Sequence, residues 1–189
     1  MVLALPRGGV PVASEIAARL RAPLDVFVVR KLGAPGQEEL AMGAIATGGS
    51  LVLNQEVIET FRLPASVIEE VAQRERAELH RRELAYRGRS EAPSVAGKTV
   101  ILVDDGVATG ATMRAAVSAL RQQKPKRIVA AVAVAAPAAG GLLEADADQF
   151  LALIESDDFT SVGEWFDDFS QTSDEEVTSL LARAKNQPY

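Results

Sequence analysis

Val100-Ile101-Leu102-Val103-Asp104-Asp105-Gly106-Val107-Ala108-Thr109-Gly110-Ala111-Thr112 is the stretch on which the reading of this chain turns. Four consecutive apolar residues drive a strand through a core and deliver two adjacent carboxylates at its tip. A short loop with two glycines and two threonines then feeds into an amphipathic run, Thr112–Gln123, read as a helix. Successive backbone N–H groups in such a turn form a concave nest, and the helix N-terminus adds roughly half a positive charge. Thr109 and Thr112 place hydroxyls there, and Gly110 lets the backbone come close to a guest. Phosphate suits that nest. Asp104 and Asp105 would repel it unless they face other groups, and vicinal ribose hydroxyls, with or without Mg²⁺, meet that condition. The competing reading is an Asp-Asp turn that merely caps a helix. A nucleotide P-loop is excluded, because no G-x-x-x-x-G-K-[ST] occurs.

Working outward, Val2–Leu5 reads as a buried strand that stops at Pro6-Arg7-Gly8-Gly9, and Val10–Leu20 as a helix. Leu24–Val29 is strand-like. Arg30–Leu40, with Gly33, Pro35 and Gly36, reads as a mobile loop. Ala44–Ala46 and Leu51–Leu53 flank Thr47-Gly48-Gly49-Ser50 as a hairpin. A long helix opens after Leu63-Pro64 and runs to about Tyr86; Lys98–Val103, Arg127–Ala135 and Gln149–Ile154 are further strands. Continuous apolar strands alternating with helices predict an α/β fold, a parallel sheet covered on both faces. Ligands of such sheets lie at the carboxyl ends of the strands. Residues 157–189 hold Phe159, Trp165, Phe166 and Phe169 and are expected to form a small lobe beside a core of about residues 1–156.

Composition narrows the chemistry. The 189 residues suffice for one α/β domain with a proper core, and no cysteine means no disulfide, thiolate zinc site or cysteine nucleophile. A single histidine, His80, rules out a Ser-His-Asp triad and His-rich metal clusters; it reads as a helix residue. The net charge of −6 disfavours general binding to nucleic acid or a membrane surface. The apolar stretch Ile128–Ala139 is too short to span a bilayer, and a cytoplasmic location is expected. The arginines of residues 74–89 alternate with Glu75, Glu78 and Glu83, the pattern of a solvated helix with i,i+4 pairs. The acidic pairs Asp157-Asp158 and Asp167-Asp168 read as loop solvation and caps, not metal ligands.

The 100–112 stretch resembles, at every position, the PRPP-binding signature of the type I phosphoribosyltransferases (PRPP is 5-phosphoribosyl-1-pyrophosphate). The resemblance implies a Rossmann-like parallel sheet flanked by helices with a small C-terminal hood lobe. It implies that Asp104 and Asp105 hold the ribose hydroxyls and act in catalysis, touching Mg²⁺ indirectly through PRPP and water. The loop Val107, Ala108, Thr109, Gly110, Ala111 and Thr112 would bind the 5′-phosphate. Arg7, Gly8 and Gly9 would bind pyrophosphate on a loop that in the family often contains a non-proline cis peptide, with Arg30 and Lys31 as further contacts; Arg7 and Lys31 would serve catalysis. The 30–40 segment would be a loop closing over the reacting centre. Trp165 or Phe166 would stack on a planar base, although a local apolar cluster explains them equally well.

The order PRGG, RKLGAPGQEELAMGAI, VDDGVATGAT, DFTSVGEWFDDFSQTSDEEV resembles, along nearly the whole chain, a group of bacterial stand-alone phosphoribosyltransferase-like proteins. Those relatives usually carry a further segment, mainly a helix, before the strand that starts here at Val2. The implied activity is Mg²⁺-dependent transfer of the phosphoribosyl group to a purine-like base, as in nucleotide salvage; a homo-oligomer is compatible with it. The alternative within the same fold is a PRPP-sensing regulatory or nucleic-acid-binding protein. Clues to the base conflict. Ala108 stands where enzymes acting on 6-oxopurines carry an acid, Ala108-Thr109-Gly110 is closer to adenine-type enzymes, and Arg7-Gly8-Gly9 to xanthine-type ones.

Overall fold

The computed structural model describes residues 1–186; the side chains of Glu38 and Glu39, within the expected loop, and residues 187–189 of the expected lobe lie outside the described residues. Five strands form a parallel sheet: β1 (Val2–Ala4), β2 (Leu24–Val26), β6 (Thr99–Val107), β7 (Arg127–Ala135) and β8 (Gln149–Glu155), in the order β2-β1-β6-β7-β8. The apolar runs of the central strands are continuous because both faces are buried, whereas the edge strand β8 leaves Leu151, Leu153 and Ile154 exposed. Val2, Ala4 and Val103 point into one cluster, and Leu3, Leu5, Val100 and Leu102 into the other.

The first face is covered by α1 (Gly9–Leu20), α3 (Ala65–Arg87) and α6 (Asp174–Lys185), through Val10, Ala13, Leu79, Val177 and Leu181. The second is covered by α4 (Ala111–Gln122) and α5 (Pro137–Asp146), through Met113, Val117, Leu120, Ala139 and Leu143. Each fully buried Leu, Val or Met of this kind contributes about 1.5–3 kcal/mol. α5 starts with Pro137 in its first turn, where the missing N–H costs nothing.

The 30–40 segment is a β-hairpin where a mobile loop is expected. β3 (Val29–Ala34) and β4 (Gln37–Ala46) pair antiparallel across Pro35-Gly36, and β5 (Ser50–Leu53) joins β4 to complete a three-stranded sheet. Gly36 has φ +77°, the left-handed conformation that follows proline in a type II turn. The side chains of Leu32, Met42 and Ile45 sink into the first cluster, so the hairpin is held by burial. Thr47 locks its far end: Thr47 N donates to Val28 O, and Val28 N donates to Thr47 Oγ1, each at 2.9 Å. A short helix, α2 (Gln55–Thr60), links β5 to α3.

The C-terminal stretch divides in two. Residues 157–173 run as a largely irregular segment with one 3-10 turn, Val162–Trp165, lying against β6 and β7. α6 then packs against α1, α3 and β2 and shares their core.

Candidate functional site

Everything in the site hangs on the C-terminal half of β6, which runs on past the two acids to Val107, whereas the sequence alone predicts them at the strand's tip. Leu5 N donates to Val103 O at 2.8 Å, which presses the 5–9 loop against that strand. Gly9 makes the contact possible, since a Cβ there would stand 2.6 Å from Val103 O and 2.8 Å from Asp104 Cα. A Cβ on Gly8 would overlap Asp105 Oδ2. The Pro6–Arg7 peptide is cis, as the resemblance implies. α1 begins at Gly9, directly after this loop.

The two carboxylates differ. Asp104 accepts at Oδ1 from the N–H of Asp105 at 2.9 Å, and Asp105 accepts at Oδ1 from the N–H of Gly106 at 2.7 Å. Burial first, and the adjacent charge of Asp105 second, push the Asp104 carboxyl well above the usual carboxylate range. The residue as a whole keeps some exposure. Asp105 opens onto a cavity of about 390 Å³ that it lines together with Arg7, Gly8, Phe166, Phe169 and Thr172.

Beyond the acids, β6 stays paired with β7 as far as Val107, and Gly110, at φ +73°, turns the chain into α4. Ala108, Thr109, Ala111 and Thr112 are exposed around the N-terminus of that helix. Thr109 Oγ1 accepts from Ala111 N at 3.4 Å. The loop is therefore a solvent-facing helix start shortly past the carboxylates, the geometry that favours an anion.

The remaining residues named from sequence are placed less uniformly. Arg30 Nε and Nη2 donate to Glu75 Oε2 at 2.9 and 2.7 Å, so its guanidinium is engaged by α3. Lys31 is exposed on β3 and, among the described residues, lines neither the cavity at Asp105 nor the Arg7–Asp174 cavity described below. Phe166 lines the cavity at Asp105 and its ring lies 5.2 Å from that of Phe169, tilted by 38°. Trp165 does not line that cavity, and its Nε1 is buried without a hydrogen-bond partner among the described residues. Asp168 accepts from Ser170 N at 2.9 Å, a local turn. His80 is exposed on α3, and Glu78 pairs with Arg81 and Arg82 at 2.7 and 2.9 Å, the solvated-helix pattern.

Sequence reasoning misses the stretch from Asp168 to Thr172 as cavity wall, and also Asp174. Asp174 Oδ1 lies 3.8 Å from Arg7 Nη1 and accepts from the Tyr86 hydroxyl at 2.9 Å. The available signal is Ser173-Asp174-Glu175-Glu176, a capping pattern that starts a helix. Ser173 Oγ does accept from Glu176 N at 3.1 Å. Among the described residues no group of three or more His, Cys, Asp or Glu could hold a metal ion by itself. Mg²⁺ commonly takes one or two carboxylates and completes its shell with water and substrate oxygens, and the Asp104–Asp105 pair fits that indirect mode.

The sequence profile of the phosphoribosyl transferase domain matches residues 1–167. The chain belongs to the phosphoribosyl transferase domain family. Among its relatives is Rv0571c of Mycobacterium tuberculosis H37Rv, carried under a provisional phosphoribosyl transferase name and 44% identical over 185 residues. That alignment takes in 97% of this chain but 42% of the relative, so the chain spans about two-fifths of that protein's length. The bifunctional protein PyrR of Geobacter sp. strain M21 is 38% identical over 107 residues, 52% of this chain and 59% of PyrR. In structure, the chain is similar to TT1426 from Thermus thermophilus, with a TM-score of 0.86 and 46% identity over 96% of this chain and 86% of that one. The parallel sheet flanked by helices is the type I phosphoribosyltransferase fold. No described helix is long and apolar enough to cross a membrane.

Proposed function

We propose that this phosphoribosyltransferase-family chain transfers the 5-phosphoribosyl group of PRPP to a ring nitrogen of a purine-like base and releases pyrophosphate. The observation that carries the reading is the convergence of Arg7, Gly8 and Asp105 on one cavity that Phe166 and Phe169 also line. A cation, an acceptor and an aromatic wall are what a pyrophosphate, a ribose and a planar base require in turn.

In this reading the N-terminus of α4 and the 107–112 loop hold the 5′-phosphate, and Asp104 and Asp105 accept hydrogen bonds from the ribose hydroxyls. Arg7 binds the pyrophosphate oxygens, and Lys31, exposed on the β3–β4 hairpin outside the cavity at Asp105, is the second cation only if the bound pyrophosphate reaches past the cavity to it. The bond between the anomeric carbon and the pyrophosphate oxygen breaks, and a bond from that carbon to the base nitrogen forms. Pyrophosphate leaves with the electron pair, and the base gives up its proton to solvent. Charge builds up on the ribose ring as an oxocarbenium ion. The carboxylates beside the ring stabilise it, so positioning and electrostatics supply the catalysis. Mg²⁺, when bound with the substrate, neutralises part of the pyrophosphate charge. Phe166 is the better placed of the two aromatics to stack on the base, because it faces the cavity.

The test is to incubate the protein with PRPP, Mg²⁺ and each of adenine, hypoxanthine, guanine and xanthine, and to follow pyrophosphate release. Release with at least one base, abolished by Asp104→Asn/Asp105→Asn, is expected. PRPP binding without release for any base would favour the alternative, a PRPP-sensing protein of this fold.

A further inference from the structure

Arg7 lines a second cavity as well, of about 270 Å³, with Pro6, Arg81, Arg82, Tyr86 and Asp174. Three guanidinium groups face it against one carboxylate. Their donors are incompletely used among the described residues: Arg81 gives Nε and Nη2 to Glu78, and Arg82 gives Nε to the same residue. The Arg7–Asp174 approach, at 3.8 Å, is longer than a hydrogen bond. Even with Glu78 counted beside Asp174, the cluster keeps an excess of positive charge. Tyr86 spends its hydroxyl proton on Asp174; burial and that hydrogen bond raise its pKa to about 12, so it stays a neutral phenol.

A purely structural ion network would pair its charges at contact distance around a filled interior. Here Arg7 Nη1 and Asp174 Oδ1 approach only to 3.8 Å, and beside them lies a cavity of about 270 Å³, room for a tetrahedral oxyanion. We propose that this cavity is an anion site for a phosphate-class ligand, separate from the cavity at Asp105, with Arg7 shared between the two. The anion would rest on Arg81 and Arg82 of α3 and draw the Arg7 guanidinium from Asp174. The site itself does not depend on the transferase reading. Its consequence does: an anion that engages Arg7 here competes with pyrophosphate for the same side chain, which makes the second cavity a place for inhibition by phosphate-class anions.

The experiment is a calorimetric titration of inorganic phosphate, without Mg²⁺ and at constant ionic strength, into protein carrying Asp104→Asn/Asp105→Asn. That background removes the ribose contacts of PRPP but leaves the 107–112 loop able to take phosphate, so the Arg81→Gln/Arg82→Gln comparison assigns the site, and its failure leaves the transferase reading standing. Saturable binding is expected, weakened at least ~10-fold when Arg81→Gln/Arg82→Gln is added, the loss of a charge-assisted contact or more. The side chains of Arg81 and Arg82 are 62% and 34% exposed, so thermal melting should show the fold intact. Asp174→Asn keeps an acceptor for Tyr86 and removes the competing charge, and phosphate should then bind a few-fold more tightly. A purely structural Asp174 would give the opposite sign. Absence of saturable binding, affinity indifferent to Arg81→Gln/Arg82→Gln, or weaker binding in Asp174→Asn overturns the proposal.

Discussion

Gly8 and Asp105 share one space: a Cβ added to Gly8 would overlap Oδ2 of Asp105. The neighbouring pair is different in kind, because a Cβ on Gly9 meets backbone, Val103 O at 2.6 Å and Asp104 Cα at 2.8 Å. A carboxylate can rotate away; a strand backbone cannot. Gly8→Ala is therefore expected to leave the melting temperature nearly unchanged while lowering PRPP affinity, through displacement of Asp105. Gly9→Ala forces the 5–9 loop off β6 and should cost ~1–3 kcal/mol, the usual penalty of overpacking. Paired melting curves and PRPP titrations of the two variants separate these outcomes.

Asp104 gives the fold a pH dependence of definite sign. Its carboxyl titrates well above the ordinary range in the folded chain, through burial and then the charge of Asp105. In the unfolded chain an aspartate titrates at about 3.9. Between that value and the raised one the folded protein holds a proton that the unfolded chain has lost, so the contribution to stability declines as pH rises through the interval. Below both values it is fully present, and above both it is fully lost. Asp104→Asn removes the dependence and keeps an acceptor for Asp105 N. It is expected to melt higher than wild type at pH 7, with the gap closing in acid, while losing PRPP affinity.

Arg30 and Lys31 are adjacent in sequence but face different tasks. Arg30 is bonded twice to Glu75, a residue 9% exposed, whereas Lys31 is exposed. Arg30→Gln should destabilise by ~1.5–3 kcal/mol, the worth of hydrogen bonds to a charged group, with little change in PRPP affinity. Lys31→Ala should alter stability by no more than ~0.5 kcal/mol, as surface changes do, and weaken PRPP binding. Chemical denaturation and calorimetry on the two variants check the crossover.

Arg87 carries the junction between α3 and the sheet. Its side chain is 4% exposed and bonds Asp25 Oδ1 at 2.8 Å, Glu83 Oε1 at 3.1 Å and the carbonyl oxygen of Val26. Removing it leaves Asp25 on edge strand β2 without its buried partner. Arg87→Ala should cost ~3–5 kcal/mol, a fall in melting temperature of roughly 10 °C for a chain of this size. Phosphate-class ligands should not restore it.

The centre of the main sheet is legible in the sequence because β6 and β7 carry long apolar runs, and the apolar runs of β1 and β6 lead into unusual chemistry. Val100–Val103 with the acids behind it, and Arg127–Ala135, could be little else. The carboxylate pair, the glycine loop and the helix start are readable for the same reason: each is contiguous in the chain. The 30–40 hairpin is hidden because Gly33, Pro35 and Gly36 look like a loop, although Pro-Gly is also a two-residue turn between strands. Its order comes from Leu32, Met42 and Ile45 packing into the core shared with α3, a contact between distant segments. α5 is masked in the sequence by Gly140 and Gly141, each costing about 1 kcal/mol against Ala in a helix, and burial of Ala139 and Leu143 helps hold it. The link from Arg7 to Asp174 and Tyr86 joins three elements remote in sequence, and no local pattern announces it.

The most direct measurement is a calorimetric titration of PRPP into the purified protein, with and without Mg²⁺, beside the Asp104→Asn/Asp105→Asn variant. Saturable binding by the wild type, strengthened by Mg²⁺ and abolished by the double substitution, is the predicted result. A folded wild-type protein that takes up no PRPP, or a double variant that binds it as well as wild type, would contradict the assignment of the C-terminal half of β6 as a PRPP site.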